Sequence, residues 1–181
     1  MPNSNLIPSR RSWLLLAVFA LATFVFGIAN SVHAAARTQL PPAGVAISQV
    51  TVKIGPELEK KAREYGVRDV ETLRQQLESE TQKALGKKGR LNPNGGRLEL
   101  VLADAVPNRP TFEQLGNKPG LSYESFAIGS ARIEGQYVGP DGQTSPIWFE
   151  DRAMDIQQSR HTDTWYDAYN AISRFARELT R

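Results

Sequence analysis

The chain contains no cysteine. That one absence removes disulfide staples, thiol nucleophiles, thiolate-ligated metals and iron–sulfur clusters together. It also removes the acylated cysteine of a bacterial lipoprotein, so an exported form carries no lipid tether of that kind. Histidine is scarce: of two residues, His33 lies in the amino-terminal leader described below, and any imidazole chemistry must run through His161. No glycine-flanked nucleophile serine, no phosphate loop and no dinucleotide fingerprint occurs. Nothing in the pattern asks for a cofactor or a metal. No internal repeat is visible, which argues against a propeller or solenoid.

Long hydrophobic runs are confined to one place. Arg10 and Arg11 precede an apolar stretch, Trp13 to Ile28, broken only by Thr23 and Gly27, and small residues follow at Val32-His33-Ala34 and Ala34-Ala35-Ala36. This order predicts a secretory signal peptide over residues 1–34, with cleavage after Ala34 or Ala36. The alternative is an uncleaved amino-terminal membrane anchor, but a run of roughly 16 residues sits at the lower limit for spanning a bilayer. Ser9-Arg10-Arg11-Ser12-Trp13-Leu14-Leu15 is similar to a twin-arginine export signal. Two arginines are equally an ordinary positive start, and general secretion is the simpler reading. The expected location is periplasmic or secreted.

Removing the leader leaves 147 of the 181 residues, enough for one domain with a sizeable core. It also takes two of the 22 basic residues, leaving 20 against 19 acidic ones, a net charge of about +1. There is no dense basic stripe with interleaved aromatics, so nucleic acid is not an expected partner. Lys83, Lys87, Lys88 and Arg90 do cluster, but at a predicted helix end, where cations complement the dipole. A solvated helix terminus is the simpler account of them than a phosphate site.

Residues 35–44 read as a linker and 45–181 as a single α/β domain. Val45, Ile47, Val50, Val52 and Ile54 make a first strand whose parity slips at Ser48-Gln49. Gly55-Pro56 ends it, and Pro56 opens a short helix to Tyr65. Asp69 is expected to cap the next helix, which runs to about Leu85 with Val70, Leu73 and Leu77 on one stripe and Gly86 as its stop. Leu98, Leu100 and Leu102 mark a second strand. Val106 to Ser122, rich in proline and glycine, reads as a long loop, of a kind that is usually functional or mobile. Ala131, Ile133 and Tyr137 then alternate on one side of Gly139-Pro140-Asp141-Gly142, and Ile147 and Phe149 on the other, which predicts an antiparallel hairpin. The spacing of Trp165, Ala168, Tyr169, Ile172, Phe175, Ala176 and Leu179 predicts a closing amphipathic helix capped by Thr162 or Asp163. The expected class is α+β: a two-layer sandwich with a mostly antiparallel sheet of about four strands, covered on one face by two main helices.

The alternating strand into Gly-Pro-Asp-Gly-Gln, the return strand and the closing Trp165-Tyr166-Asp167-Ala168 helix resemble small bacterial envelope proteins of unknown function. Their fold looks like the amino-terminal domain of the Tol-Pal protein TolB. The resemblance spans roughly Val45 to Leu179 as element order, without TolB's propeller and without a lipidation cysteine. It implies an adaptor or accessory role in an envelope assembly and carries over no catalytic residues.

Two sets of residues stand out as candidate sites. Trp148 lies on the opposite parity from Ile147 and Phe149, and beside Arg132 and Arg152 it could anchor a partner. So could Arg109 and Phe112 in the long loop. Strand packing is the commoner role for a tryptophan in such a place. The second set, His161, Asp155 and Asp163, could form a polar site. However, Asp163 is also a natural helix cap, and Asp167 is favoured in a first turn. The expectation is therefore an exported, non-catalytic adaptor that docks on an envelope protein through a sheet edge or the 106–122 loop. The alternative is a periplasmic hydrolase or small-ligand binder, with a pocket near that loop and His161. Membrane contact is expected only through the leader.

Overall fold

A computed structural model describes residues 38–153, 156–157 and 163–181. The leader, its cleavage sites, Asp155 and His161 lie outside them. The described residues form five strands, β1 (Thr38–Gln39), β2 (Ile47–Ile54), β3 (Gly96–Val106), β4 (Ser130–Val138) and β5 (Thr144–Arg152). Four helices accompany them: α1 (Pro56–Tyr65), α2 (Val67–Lys87), α3 (Phe112–Asn117) and α4 (Tyr166–Leu179).

The sheet has the order β1-β5-β4-β3-β2, with β2 parallel to β3 and every other pairing antiparallel. The parallel pair follows from the connection: α1 and α2 lie between β2 and β3, and a helical crossover returns the chain in the same direction. The expected four strands become five because Thr38-Gln39, in the stretch read as linker, pairs with Phe149 and Trp148. The short helix to Tyr65 and the two main helices are present as α1, α2 and α4, and a fourth, α3, forms inside the segment read as a loop. The parity slip at Ser48 is present as a register shift between Ile47 and Gln49.

The hairpin forms as the turn chemistry requires. Gly139 N–H donates to Gln143 O at 2.8 Å, and the Asp141 carboxylate accepts from Gln143 N–H at 3.1 Å. Its period-two pattern divides the two faces. Ile133, Ile147 and Phe149 point into the core with Leu98, Leu100 and Leu102 of β3, whereas Glu99, Glu134, Gln136 and Glu150 lie on the opposite parity, away from it. α2 and α4 pack on the apolar face and on each other, and α1 packs on α2 and β3. Leu73, Leu77, Ile172 and Phe175 are fully buried, and each such burial stabilises by about 1.5–3 kcal/mol. Phe175 meets Phe149 edge-on, with ring centroids 5.6 Å apart. The core is drawn entirely from residues between Ile47 and Leu179, and Ala34–Arg181 forms a compact unit by itself.

Helix boundaries depart from expectation in three places. α2 begins at Val67 with Gly66 as its N-cap. Asp69 does not cap it; its carboxylate accepts from Trp165 Nε1–H at 3.1 Å. Gly86 does not stop α2. The helix runs on to Lys87 with Lys88 as its C-cap, Gly89 (φ +64°) follows, and Arg90 N–H returns to Leu85 O at 2.9 Å. This is a Schellman-type closure, which needs the left-handed residue that glycine supplies without strain. Trp165, expected inside the last helix, is its N-cap residue, 4% exposed. There the ring packs edge-on against Tyr65, which holds it in the core ahead of the helix.

Candidate functional site

The 106–122 segment is not an open loop. Beyond Val106 the chain turns at Pro107, and Asn108 is fully buried. Burial of an amide without partners costs roughly 1–3 kcal/mol, and here each kind of polar atom has one. Asn108 N–H donates to Thr164 O at 2.7 Å, and its carbonyl accepts from Ala127 N–H at 2.8 Å. Its Nδ2 donates to Asp167 Oδ2 at 2.5 Å, and its Oδ1 accepts from Asp167 N–H at 2.8 Å. Asp167 Oδ2 accepts a further bond from Gly129 N–H at 3.1 Å. One amide thus ties the exit of β3, the approach to β4 and the first turn of α4.

Gly129 is required by that contact. A Cβ there would lie 2.6 Å from Asn108 Oδ1 and 2.8 Å from Asp167 Cβ. In sequence it suggests a bulge or a close packing partner, and it is the latter. Asp167 is favoured electrostatically at a helix start, but its larger role is this charge-assisted, buried hub.

The next residues form α3. Thr111 caps it through a reciprocal capping box: Gln114 N–H donates to Thr111 Oγ1 at 3.2 Å and Thr111 N–H to Gln114 Oε1 at 3.1 Å. The pattern Thr111-Phe112-Glu113-Gln114 carries a local helix-start signal that the surrounding prolines and glycines mask. α3 is fastened to α1 at Glu64, which accepts from Gln114 Nε2 at 2.9 Å and from Lys118 Nζ at 2.5 Å. The Lys118 bond, with Gln114's help, holds the Glu64 carboxyl below its ordinary pKa.

This framework presents apolar surface to solvent. Phe112 is 80% exposed and Tyr123 48%. Their rings meet edge-on at 5.9 Å, and Arg109 Nη1 donates to Tyr123 O at 2.6 Å, holding the returning chain beside α3. Leu121 is exposed next to them. Beneath lies a cleft of about 270 Å³ whose walls include Tyr65, Pro107, Pro110, Leu121 and Phe126. Burial raises the pKa of Tyr65, one of the residues that line this cleft.

The two halves of the sequence-derived partner set therefore separate. Arg109 and Phe112 belong to the loop platform. Arg132, Trp148 and Arg152 share the open face of the sheet, where Arg132 lies diagonal to Trp148 and Glu150 stands directly across from Arg132. Arg132 Nε is 3.2 Å from Glu134 Oε1, yet it makes no hydrogen bond, because the two groups are close without being aligned. Trp148 is half-buried between Glu134 on one side and Gln39 on the other.

Of the polar set, His161 and Asp155 lie outside the described residues. Asp163 is occupied locally: its carboxylate accepts from Trp165 N–H at 2.9 Å, just before α4. Among the described residues no group of three or more histidine or acidic side chains is placed to hold a metal. None of their helices is long and apolar enough to cross a membrane. No protein-family model, curated protein or solved structure matches the chain.

Proposed function

We propose that this chain is an exported, non-catalytic adaptor that docks on a protein of the bacterial envelope through the Phe112–Tyr123 platform. Export rests on the leader pattern of residues 1–34. The docking reading rests on one observation above the others: a large aromatic side chain, Phe112, stands 80% exposed on a segment anchored on both sides. Exposed aromatics scattered singly need no explanation, but a cluster with an adjoining cleft marks an interaction surface. Pre-organisation matters here, because a partner meeting a fixed platform need not supply the entropy of ordering it. Phe112 and Tyr123 are the residue types that serve as rigid anchors, and the cleft can take an apolar side chain from the partner.

The small-ligand alternative would use the same cleft. Its volume of about 270 Å³ lies just below the range of small-molecule sites, which favours a single partner side chain over a whole ligand. The test is p-benzoylphenylalanine placed at Phe112, where it conserves the ring, with Gln136 on the open sheet face as the control position. Irradiation in cells is expected to yield a discrete protein adduct from position 112 and none from position 136. Equal labelling from both positions, or from neither, would remove the adaptor reading.

A further inference from the structure

The fold unites two basic segments that are far apart in sequence. From Thr81 to Leu98 there is no acidic residue, while Lys83, Lys87, Lys88, Arg90 and Arg97 all fall within that span. Arg90 crosses to the end of α4, donating from Nη1 to Leu179 O at 3.2 Å and from Nη2 to Arg181 O at 3.1 Å. The carboxyl-terminal ends of α2 and α4 therefore adjoin, which brings Arg177 and Arg181 to the same end of the fold as Lys87 and Lys88.

Helix-end complementarity accounts for only part of this charge. Lys83 is paired with Glu80 at 3.4 Å, but Lys87, Lys88, Arg90, Arg177 and Arg181 have no ion-pair partner among the described residues. Two helix ends contribute about half a negative charge each, and Glu178 contributes one more. The surface keeps a net charge of roughly +3, or about +2 if a free carboxylate follows Arg181. Lys87, Lys88, Arg177 and Arg181 are all exposed. In their midst Leu91, against the end of α2, leaves 49% of its surface in solvent.

We propose that this surface docks on the anionic headgroups of a lipid bilayer. Each cation held near an anionic leaflet strengthens binding by about fivefold, and an exposed leucine among cations suits the headgroup–acyl boundary. Among the described residues no exposed aromatic stands among these cations to stack on bases, which sets the surface apart from a single-strand binding groove. This contact is separate from the leader and from the Phe112–Tyr123 platform.

The experiment is vesicle co-sedimentation of residues 35–181, a span that encloses the whole core. Vesicles of phosphatidylcholine with phosphatidylglycerol are compared with phosphatidylcholine alone. Binding to the anionic vesicles is expected to be at least about tenfold tighter and to fall steeply with salt. Lys87→Glu with Lys88→Glu should reduce it by at least about tenfold. Lys60→Glu with Arg63→Glu, an equal charge change on exposed positions of α1, should change it by less than about twofold. The neutral pair Lys87→Gln and Lys88→Gln should give an intermediate loss without burdening the helix end. No preference for anionic vesicles, or equal losses in the two reversal pairs, would overturn the proposal. So would equally tight, Lys87- and Lys88-dependent binding of a short single-stranded oligonucleotide, which would assign the surface to nucleic acid instead.

Discussion

Asn108 and Asp167, 59 residues apart, exchange two hydrogen bonds, Nδ2 to Oδ2 at 2.5 Å and backbone N–H to Oδ1 at 2.8 Å. Removing one partner strands the other: in Asn108→Ala the buried Asp167 carboxylate loses its shortest bond while remaining out of water. The expected loss is about 2–4 kcal/mol of stability, read as a lower urea midpoint with an unchanged slope. Cleavage by a nonspecific protease should shift into 107–129. A loss below about 0.5 kcal/mol would mean that the pair does not hold the loop.

Gly129→Ala tests the same junction from its third side. The added methyl would sit 2.6 Å from Asn108 Oδ1, so something must move, at a cost of about 1–3 kcal/mol. Thermal unfolding of this variant beside Gly116→Ala, where nothing lies within 4 Å of the new methyl, separates crowding from the general effect of replacing a glycine.

Phe112→Ala and Tyr123→Ala should behave in the opposite way. Phe112 is largely in solvent, so its truncation should leave stability within about 0.5 kcal/mol of the parent, while abolishing adduct formation by a crosslinker placed at Leu121. A large loss of stability in Phe112→Ala would show the ring to be a packing element and not an anchor.

The Glu64 anchor of α3 carries a pH dependence of known sign. Lys118, then Gln114, lowers the folded-state pKa of Glu64. Its contribution is therefore present above the ordinary carboxylate value and is lost as pH falls through the lower, folded one. Glu64 and Lys118 are both close to half exposed, so solvent screening limits the effect to a few tenths of a kcal/mol. Comparison of Glu64→Gln with the parent should show a small difference in melting temperature at pH 7 that shrinks as pH falls below the ordinary carboxylate range. A difference that grows on acidification would contradict the assignment.

Much of the fold is legible in the sequence because it is written in periodicity. Ile133, Ile147 and Phe149 alternate with residues of the sheet's open face and themselves face the core. The stripe from Ala168 to Leu179 is buried along its length except at the half-buried Tyr169. The slip at Ser48 appears because a single extra residue reverses every side chain after it. Two kinds of feature escape such reading. Thr38-Gln39 is too short to have a period, and its pairing with Phe149 and Trp148 is decided by what β5 leaves open. The segment after β3 is held by Asn108, Gly129 and Asp167, each unremarkable alone and meaningful only in three-dimensional contact. The capping box at Thr111 is the exception: its pattern is local and visible in four consecutive residues. The basic surface likewise needs the fold, since nothing in sequence joins Lys87 to Arg177.

The platform's rigidity is the point on which the account turns, and amide hydrogen exchange measures it residue by residue. The N–H groups of Asn108, Ala127, Gly129 and Asp167 all donate hydrogen bonds within the buried junction. They should exchange as slowly as those of β3 and β4, limited by global unfolding, and should lose that protection in Asn108→Ala. If these four amides exchange at rates typical of an open loop while β3 and β4 remain protected, then Phe112 and Tyr123 are not held in place and the docking account fails.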